Sequence, residues 1–300
     1  MMIPRMIFLI PLKLMSVNKT KLKYRFVFLL FIGSLLTTMS CNKVGNSYIS
    51  FHRGVESSKQ YTEAQQMMTQ IMNTYFKSIT DSLLLKTGTS WVDAAKIRQY
   101  HDTLNHLVIE YPVWGNEDGY GHYRQGIIEA TTNSDFLETN AIITIRFIDF
   151  LYDLNPMTVD SMVLVNQGKV DGKNQKFNLA ANRIELQYVN ATGIFSFSMN
   201  EMFTVYKAAG TFYTSHKDSI GIYGNLNGTT KNNLVFEAEC IEDSAMLYAY
   251  SCDWLKMGYV SLDVDDFNYT STIYFSEPDT CANLFLIEID NNPFPFPIEE

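Results

Sequence analysis

The sequence lacks the short motifs that usually mark a catalytic or metal-binding site. It has only four cysteines in 300 residues, and no two of them form a Cys-x-x-Cys pair, which disfavours a zinc ribbon or a thioredoxin-like site. It contains no His-Glu-x-x-His, no Gly-x-Ser-x-Gly nucleophile elbow and no phosphate-binding loop. Gly119-Tyr120-Gly121 lacks the third glycine of a dinucleotide fingerprint. We therefore predict no catalytic residue, no metal and no cofactor.

Two polar clusters are the remaining candidates for a metal site. His101 and His106 flank Asp102, but their spacing is not the i, i+4 spacing that places two ligands on one helix face. The aspartates of residues 263–266 lack the glycine and the terminal glutamate of an EF-hand loop. We interpret the first cluster as surface polar residues and the second as an acidic turn on a charged sheet edge.

Basic residues are scarce after the first forty positions. All six ionisable side chains of residues 1–40 are basic, which leaves 17 basic and 32 acidic residues beyond them, a net charge of −15. So acidic a body repels phosphate backbones and offers no basic face to anionic lipid. The composition therefore argues against nucleic-acid binding.

The chain also lacks an apolar run long enough for a membrane-spanning helix, which needs about 20 residues. The apolar stretch Phe26–Leu36 is shorter, and it follows the basic residues of segment 19–25. The small and polar residues 37–40 come next, and then Cys41. This order is typical of a secretory signal peptide, with an uncleaved anchor helix as the less favoured alternative.

A cysteine directly after small residues resembles the bacterial lipobox, in which the thiol takes a diacylglycerol before the signal is cut. Thr38 stands where that motif usually has leucine. We expect cleavage before Cys41, which would then carry the acyl chains and anchor the protein to the bilayer. Residues 1–14 precede an otherwise complete signal, so Met15 is a plausible start and the first segment a start-site artefact. We exclude residues 1–40 from the fold.

The segment after the signal predicts a tether and then a helix. Residues 41–58 are polar and aperiodic, which is typical of a lipidated tether. Residues 59–104 indicate a helical segment, with a long amphipathic helix over residues 60–86 and a stop at Gly88. Its apolar residues recur at steps of three and four: Tyr61, Ala64, Met68, Ile71, Met72, Tyr75, Ile79 and Leu83.

A second, shorter helix is predicted directly after the first. Ser90 and Asp93 have the spacing of a capping box ahead of Ala94, Ala95 and Ile97. We expect the methionine-rich stripe of the long helix to pack on a sheet, and a partner-binding face is the alternative.

From residue 105 onward the apolar period becomes two. Residues 183–188 and 195–198 alternate between apolar and polar side chains, as half-buried antiparallel strands do. Asp171-Gly172 and Asn227-Gly228 are typical of tight hairpin turns. The fold class is therefore mainly β: an antiparallel β-meander or sandwich body over residues 105–300, with the amphipathic helix at its N-terminus.

The β region contains a set of short motifs: Ile109-Glu110-Tyr111, an R-x-G-x-I pattern at Arg124, Gly126 and Ile128, Gly224–Gly228, Cys252-Asp253-Trp254 and Thr280-Cys281-Ala282-Asn283. In these motifs it resembles a family of secreted Bacteroidota lipoproteins that have no established activity. Residues 276–279 replace the glycine-rich turn of that family, and Ala282 replaces an aspartate. The resemblance implies a fold and a location in the cell envelope, at the outer membrane and facing the periplasm or the surface. It implies no reaction.

The remaining cysteines are Cys240, Cys252 and Cys281, and two of the three are expected to pair in an oxidising compartment. Cys252 and Cys281 each stand just before a strand of the last meander. If those strands are its first and third, their starts lie at the same end of the sheet, which favours this disulfide. Cys240 lies late in an apolar strand and is predicted to be a buried free thiol.

The sequence favours a non-catalytic binding or scaffold module for a glycan or an envelope protein. An extracytoplasmic hydrolase acting on an envelope polymer is the alternative. Trp114, Tyr120 and Tyr123 surround the glycine-bearing loop and are the candidate ligand surface, although a purely structural loop is the favoured interpretation. A surface-fibre subunit is a third hypothesis, for which residues 284–296 are the only exchangeable strand, and their prolines make that strand a poor donor.

The lipobox predicts that the mature protein begins at an acylated Cys41. Expressed in a bacterium that processes lipoproteins, the protein should incorporate labelled palmitate and partition into detergent, and Cys41→Ala should abolish both. Cys240→Ala is the matched control and should change neither. An intact N-terminus or an unmodified Cys41 in the mass spectrum of the purified protein would contradict this prediction.

Overall fold

One antiparallel sheet accounts for most of the chain. The computed structural model describes residues 51–101, 104–118, 121–189, 193–208, 214–265, 270–275 and 281–297. The signal segment, Cys41 and Tyr120 lie outside these residues. The fold is 59% strand and 17% helix, which confirms the mainly β class.

The sheet contains sixteen strands in the described part of the chain. They are β1 (Thr89–Val92), β2 (Ala95–His101), β3 (Asn105–Glu117), β4 (Tyr123–Thr132), β5 (Ile142–Tyr152), β6 (Asn155–Val170), β7 (Asn174–Gln187), β8 (Ile194–Tyr206), β9 (Ser219–Thr229), β10 (Val235–Cys240), β11 (Met246–Ala249), β12 (Leu255–Lys256), β13 (Tyr259–Val264), β14 (Ser271–Phe275), β15 (Leu284–Ile289) and β16 (Asn292–Pro297). Strands β1 to β10 are paired in chain order, and β13 to β16 continue the sheet from β10. The intervening β11 pairs with the first half of β9 and with β12.

The helix α1 spans residues 51–79 and is enclosed by the sheet. The predicted methionine-rich stripe is buried against the strands from Tyr61 to Ile79, so its expected core role is confirmed there, whereas Leu83 lies beyond α1 and is exposed. The opposite side of the helix is buried as well, and its side chains are polar but uncharged: Ser57, Ser58, Gln60, Thr62, Gln65, Gln66, Thr69, Gln70, Asn73, Thr74 and Ser78. No described helix is both long and apolar enough to cross a membrane.

Contacts from distant parts of the sheet show that it curls around α1. Gln66 binds the backbone on both sides of Trp254, accepting from the Leu255 amide at 3.1 Å and donating to the Asp253 carbonyl. Gln60 accepts from the Lys231 amide at 2.9 Å. At the start of the helix, the Phe51 ring meets the Phe294 ring with centroids 4.8 Å apart. Gln60 and Gln66 therefore fasten the helix to parts of the chain that are far from it in sequence.

The helical segment differs from its prediction at both ends. Residues 51–58, expected as tether, are helical. The long helix ends at residue 79, and a separate helix α2 (Ser82–Thr87) follows, capped by the Asp81 carboxylate and ended by Gly88. The break arises because Asp81 adopts an extended backbone and accepts a hydrogen bond from the Leu84 amide at 2.7 Å.

The predicted second helix is wrong, because residues 89–101 form the β1–β2 hairpin. Asp93 and Ala94 both have positive φ, which is the geometry of a two-residue hairpin turn. The Asp93 carboxylate does not cap a helix but binds Thr74 and Lys77 of α1 at 2.8 and 2.9 Å.

Of the two turn predictions, one is confirmed and one is wrong. Asp171-Gly172 lies in the β6–β7 turn, and both residues have positive φ. Asn227-Gly228 lies instead inside β9. A Cβ atom at Gly228 would collide with the backbone of β8 at Ser196 and Phe197, so this glycine permits close strand approach.

The C-terminal run proposed as an exchangeable strand is paired within the sheet as β15 and β16. Pro293, Pro295 and Pro297 stand opposite Glu288, Leu286 and Leu284. Because proline has no N–H group, the amide donors of β16 toward β15 must come from the residues between them. The Phe296 ring of this strand also lies under the Lys59 ammonium of α1, 5.0 Å away.

The cysteines pair as predicted. A disulfide joins Cys252 and Cys281, whose Cα atoms are 5.6 Å apart, and Cys240 is a buried free thiol. By the loop-entropy model, closing a loop of 29 residues contributes about 3–4 kcal/mol.

A carboxylate is buried where β8 meets α1. Glu201 is 1% exposed and accepts a hydrogen bond from Gln65 Nε2 at 3.0 Å. Burial raises the pKa of Glu201 to about 8. Tyr61 and Cys240 share this site, and burial raises the pKa of the Tyr61 phenol and raises that of the Cys240 thiol to about 11. All three groups therefore stay neutral in the folded protein at pH 7.

The raised pKa of Glu201 predicts that stability falls as the pH rises. Between about pH 4.5 and pH 8 the folded state keeps a proton that the unfolded chain releases, which costs on the order of 1 kcal/mol per pH unit. Glu201→Gln removes the titration. The free energy of unfolding of this variant, relative to that of the wild type, should therefore increase from pH 5 to pH 8. Urea denaturation at pH 5, 6.5 and 8 measures this. The exposed Glu239→Gln is the control, and parallel curves for Glu201→Gln and wild type would refute the assignment.

Candidate ligand-binding site

Arg124, from the R-x-G-x-I pattern, points from β4 towards α1 and is fully buried. Its Nη1 atom donates to Tyr111 Oη at 3.0 Å and to Thr74 Oγ1 at 3.3 Å, while Nη2 lies 3.4 Å from Gln70 Oε1. The other two residues of the pattern are also structural. Gly126 has a φ of +95° where any Cβ would collide with the Asp149 carbonyl, and Ile128 packs in the core.

Asp118 supplies the negative charge that Arg124 requires. Its Oδ2 atom lies 2.6 Å from Arg124 Nη2, and neither side chain is exposed. The same carboxylate accepts from the His122 amide at 3.0 Å, and the Asp118 amide donates to the His122 carbonyl at 2.8 Å. This ion pair therefore anchors the loop that joins β3 to β4 to the centre of the protein.

Two tyrosines flank the guanidinium group of Arg124. The rings of Tyr111 and Tyr152 lie 5.7 and 5.6 Å from its central carbon, within the range of cation–π attraction. Burial raises the pKa of both phenols, although the Arg124 charge opposes the rise. Tyr152 keeps its proton and donates it to Gln70 Oε1 at 2.7 Å.

The β5–β6 turn completes the site by holding a histidine. Asp153 Oδ2 lies 2.8 Å from His122 Nδ1, and Asp153 Oδ1 accepts from the Tyr123 amide at 2.8 Å. Asp153 and Leu154 both have positive φ, so a tight two-residue turn aims the carboxylate at the neighbouring loop. The second ring nitrogen of His122, Nε2, is buried and has no hydrogen-bond partner among the described residues.

His122 and Asp153 line a cleft of about 220 Å³, which we call the His122 cleft. One wall comes from α1 and the others from β5 to β8, and the lining residues are Glu63, Ala64, Gln66, Met67, His122, Tyr152, Asp153, Asn155, Leu186, Tyr188 and Phe195. The cleft thus combines aromatic rings with two carboxylates, two amides and a histidine. Its described lining residues include no serine, threonine or cysteine that could act as a nucleophile.

Of the residues predicted as a ligand surface, Trp114 and Tyr123 are absent from the described lining of this cleft, and Tyr120 lies outside the described residues. Trp114 is 81% exposed on a bulge of β3, where the ladder with β4 shifts register. The Tyr123 hydroxyl donates to the Trp114 carbonyl, which gives Tyr123 a structural role in the loop. Sequence reasoning singled out the loop that carries His122 but missed His122 itself and its partner Asp153, which is 31 residues away.

The histidines considered as metal ligands have ordinary partners. His101 Nδ1 lies 2.6 Å from Asn105 Oδ1, and His106 Nε2 lies 3.6 Å from Glu129. Asp102 and Asp266 lie outside the described residues. Within the described part of the chain, no group of three or more histidine, cysteine, aspartate or glutamate residues is placed to hold a metal ion.

No protein-family model matches the chain, and comparisons with curated proteins and with solved structures find no match either. The function therefore has to be inferred from the geometry of the site and from the signal peptide and lipobox predicted at the N-terminus.

The buried ion pair predicts a large cost for removing one charge. Asp118→Asn leaves Arg124 buried without a counter-ion, which should lower the free energy of unfolding by about 3–5 kcal/mol. The matched control is Glu110→Gln, because Glu110 pairs with Arg98 at the surface, where such a change costs about 1 kcal/mol or less. Urea denaturation compares the two variants, and equal losses would contradict the prediction.

Proposed function

We propose that this protein is a non-catalytic, lipid-anchored binding module of the bacterial cell envelope, and that the His122 cleft binds a sugar residue of a glycan. The location follows from the basic, apolar and small-residue order ending at Cys41 and from the family resemblance of the β region. The observation that carries the ligand assignment is the mixture of aromatic faces and hydrogen-bonding groups in one cleft wall.

The chemistry of the wall suits a saccharide. Glu63, Asp153 and Asn155 offer carbonyl and carboxylate oxygens that accept hydrogen bonds from hydroxyl groups, and the His122 ring lies against Asp153 in the same cleft lining. Tyr188 is half-buried and provides an apolar ring face against which the carbon side of a sugar ring can pack, and the buried Phe195 also lines the cleft. A polar ligand with one apolar face satisfies both sets of groups.

The size of the cleft supports a single sugar ring. A cavity of about 150 Å³ holds benzene, so about 220 Å³ has room for a six-membered ring with hydroxyl groups. The cleft is smaller than the roughly 300–1,000 Å³ of sites for drug-sized ligands. We therefore expect the protein to hold one residue of a longer glycan, or its end, rather than to enclose an oligosaccharide.

A hydrolase acting on an envelope glycan is the second candidate, because two carboxylates and a histidine–aspartate pair converge on the same cleft. Glycosidases work with two carboxylates that flank the scissile bond. We favour binding over hydrolysis because neither Glu63 nor Asp153 is free for that role. Asp153 is engaged by His122 and the Tyr123 amide, and Glu63 accepts from the Tyr188 hydroxyl at 3.0 Å.

The test is calorimetry of the protein with envelope saccharides, followed by chromatography of the mixtures for products. His122→Ala and Tyr188→Ala should each weaken binding by about tenfold, since each removes a group from the cleft wall. The matched controls are His106→Ala and Tyr100→Ala, a histidine–tyrosine pair in ring contact outside the cleft, and they should bind normally.

Two results would overturn this proposal. Released sugar that disappears in Glu63→Gln would establish the hydrolase in its place. Equal affinities for the cleft variants and the controls would show that any saccharide binding occurs elsewhere on the protein.

A further inference from the structure

A second cleft lies at the other end of α1, and its character differs from that of the His122 cleft. It has a volume of about 330 Å³ and lies between the C-terminal turn of α1, helix α2 and strands β2, β3, β6, β7 and β8. Its floor consists of buried core side chains, among them Phe76, Leu84, Leu107 and Phe177. Three lysines also line it, and we call it the lysine cleft after Lys169, Lys173 and Lys207.

The lysines are unusual because the rest of the protein is acidic. Residues 51–300 contain 16 basic and 32 acidic residues, yet the lining of this cleft has three lysines and one carboxylate, that of Asp135. Asp135 is engaged in its own loop, where its Oδ1 atom accepts from the Leu137 amide at 2.8 Å. The cleft is therefore a locally positive site in a negative body.

Two of the three lysines are placed to meet an anion. Lys207 is already neutralised, because its Nζ atom lies 2.7 Å from the buried Asp218 carboxylate. Lys169 and Lys173 are exposed on either side of the β6–β7 turn, and neither forms an ion pair with any described residue. Their charges thus stand at the rim, above an apolar floor.

We infer that the lysine cleft binds a free fatty acid, with its alkyl chain on the phenylalanine-lined floor and its carboxylate between Lys169 and Lys173. An apolar pocket with a few convergent polar groups is the usual form of a small-ligand site, and the volume lies within the normal range. One alkyl chain fits that volume, whereas the two chains of a phospholipid do not. The carboxylate accounts for the rim lysines, which a neutral apolar ligand would leave unpaired.

This inference is independent of the saccharide proposal, since the two clefts share no lining residue. Either assignment can fail without affecting the other. It also differs in kind, because the affinity should come from buried alkyl surface and a single ion pair rather than from several hydroxyl groups.

The test is calorimetry of the mature chain carrying Cys41→Ala, which has no acyl chain of its own and needs no detergent. Decanoate is the probe, and hexanoate, decanol and decylamine are its comparisons. Each added methylene should raise the affinity by up to about fourfold until the cleft is full. Decylamine should bind at least about tenfold more weakly than decanoate, because its charge is repelled by the lysines.

Variants separate the contributions of the rim and the floor. Lys169→Gln combined with Lys173→Gln should weaken decanoate about tenfold and leave decanol unchanged, and Lys217→Gln, an exposed lysine outside the cleft, is the matched control. Leu85→Trp adds bulk at a half-exposed lining position and should weaken decanoate more than hexanoate. Urea denaturation confirms that each variant is folded.

The inference is overturned if no binding of decanoate is detected at 1 mM. A site with a dissociation constant of about 1 mM, the weakest we would accept, is half occupied at that concentration. It is equally overturned if decylamine binds as tightly as decanoate, or if the lysine variants and the control behave alike. Tighter binding of a diacyl phospholipid than of decanoate would also refute it, since it would replace the fatty acid as the occupant.

Discussion

The enclosure of α1 by the sheet is the constraint on which the rest of the structure depends. A buried polar group costs free energy unless it is hydrogen-bonded, and this helix carries glutamines, asparagine, serines and threonines on its buried surface. The strands must therefore present partners towards the interior. Arg124 meets Gln70 and Thr74, and Glu201 meets Gln65. Buried ionisable side chains, which would be destabilising in an ordinary sandwich core, here hydrogen-bond to a polar helix.

The same helix sets the character of both clefts. The His122 cleft takes one wall from the region of Glu63 to Met67, where α1 offers a carboxylate and an amide. The lysine cleft takes its floor from Phe76 and Ile79, near the end of the helix, where the buried side chains of α1 that line the cleft are aromatic and aliphatic. The residues of α1 that line a cleft thus change from partly polar near Glu63 to apolar near Ile79, and the two proposed ligands differ accordingly.

Much of the fold could be predicted from the sequence, because alternation of side chains and the methionine stripe both report burial on one side of an element. The full enclosure of α1 was missed, although the absence of any charged residue between Glu63 and Lys77 was a readable signal of it. The hairpin at Asp93 was mistaken for a helix, since its contacts to Thr74 and Lys77 are tertiary. The pairing of His122 with Asp153 depends on strand register and turn geometry, which a local pattern does not encode.

The order of strands along the sheet has a consequence for how the chain folds. Nearly every strand pairs with its neighbour in sequence, so each hairpin closes a short loop and can form as soon as its two strands exist. The enclosure of α1 is different, because Phe51 and Lys59 meet the rings of Phe294 and Phe296 from the final strand. The helix is made before any strand, yet its N-terminal part lacks these contacts until the last hairpin forms. A chain folding in this order has to be kept from aggregating while its first element waits for its last.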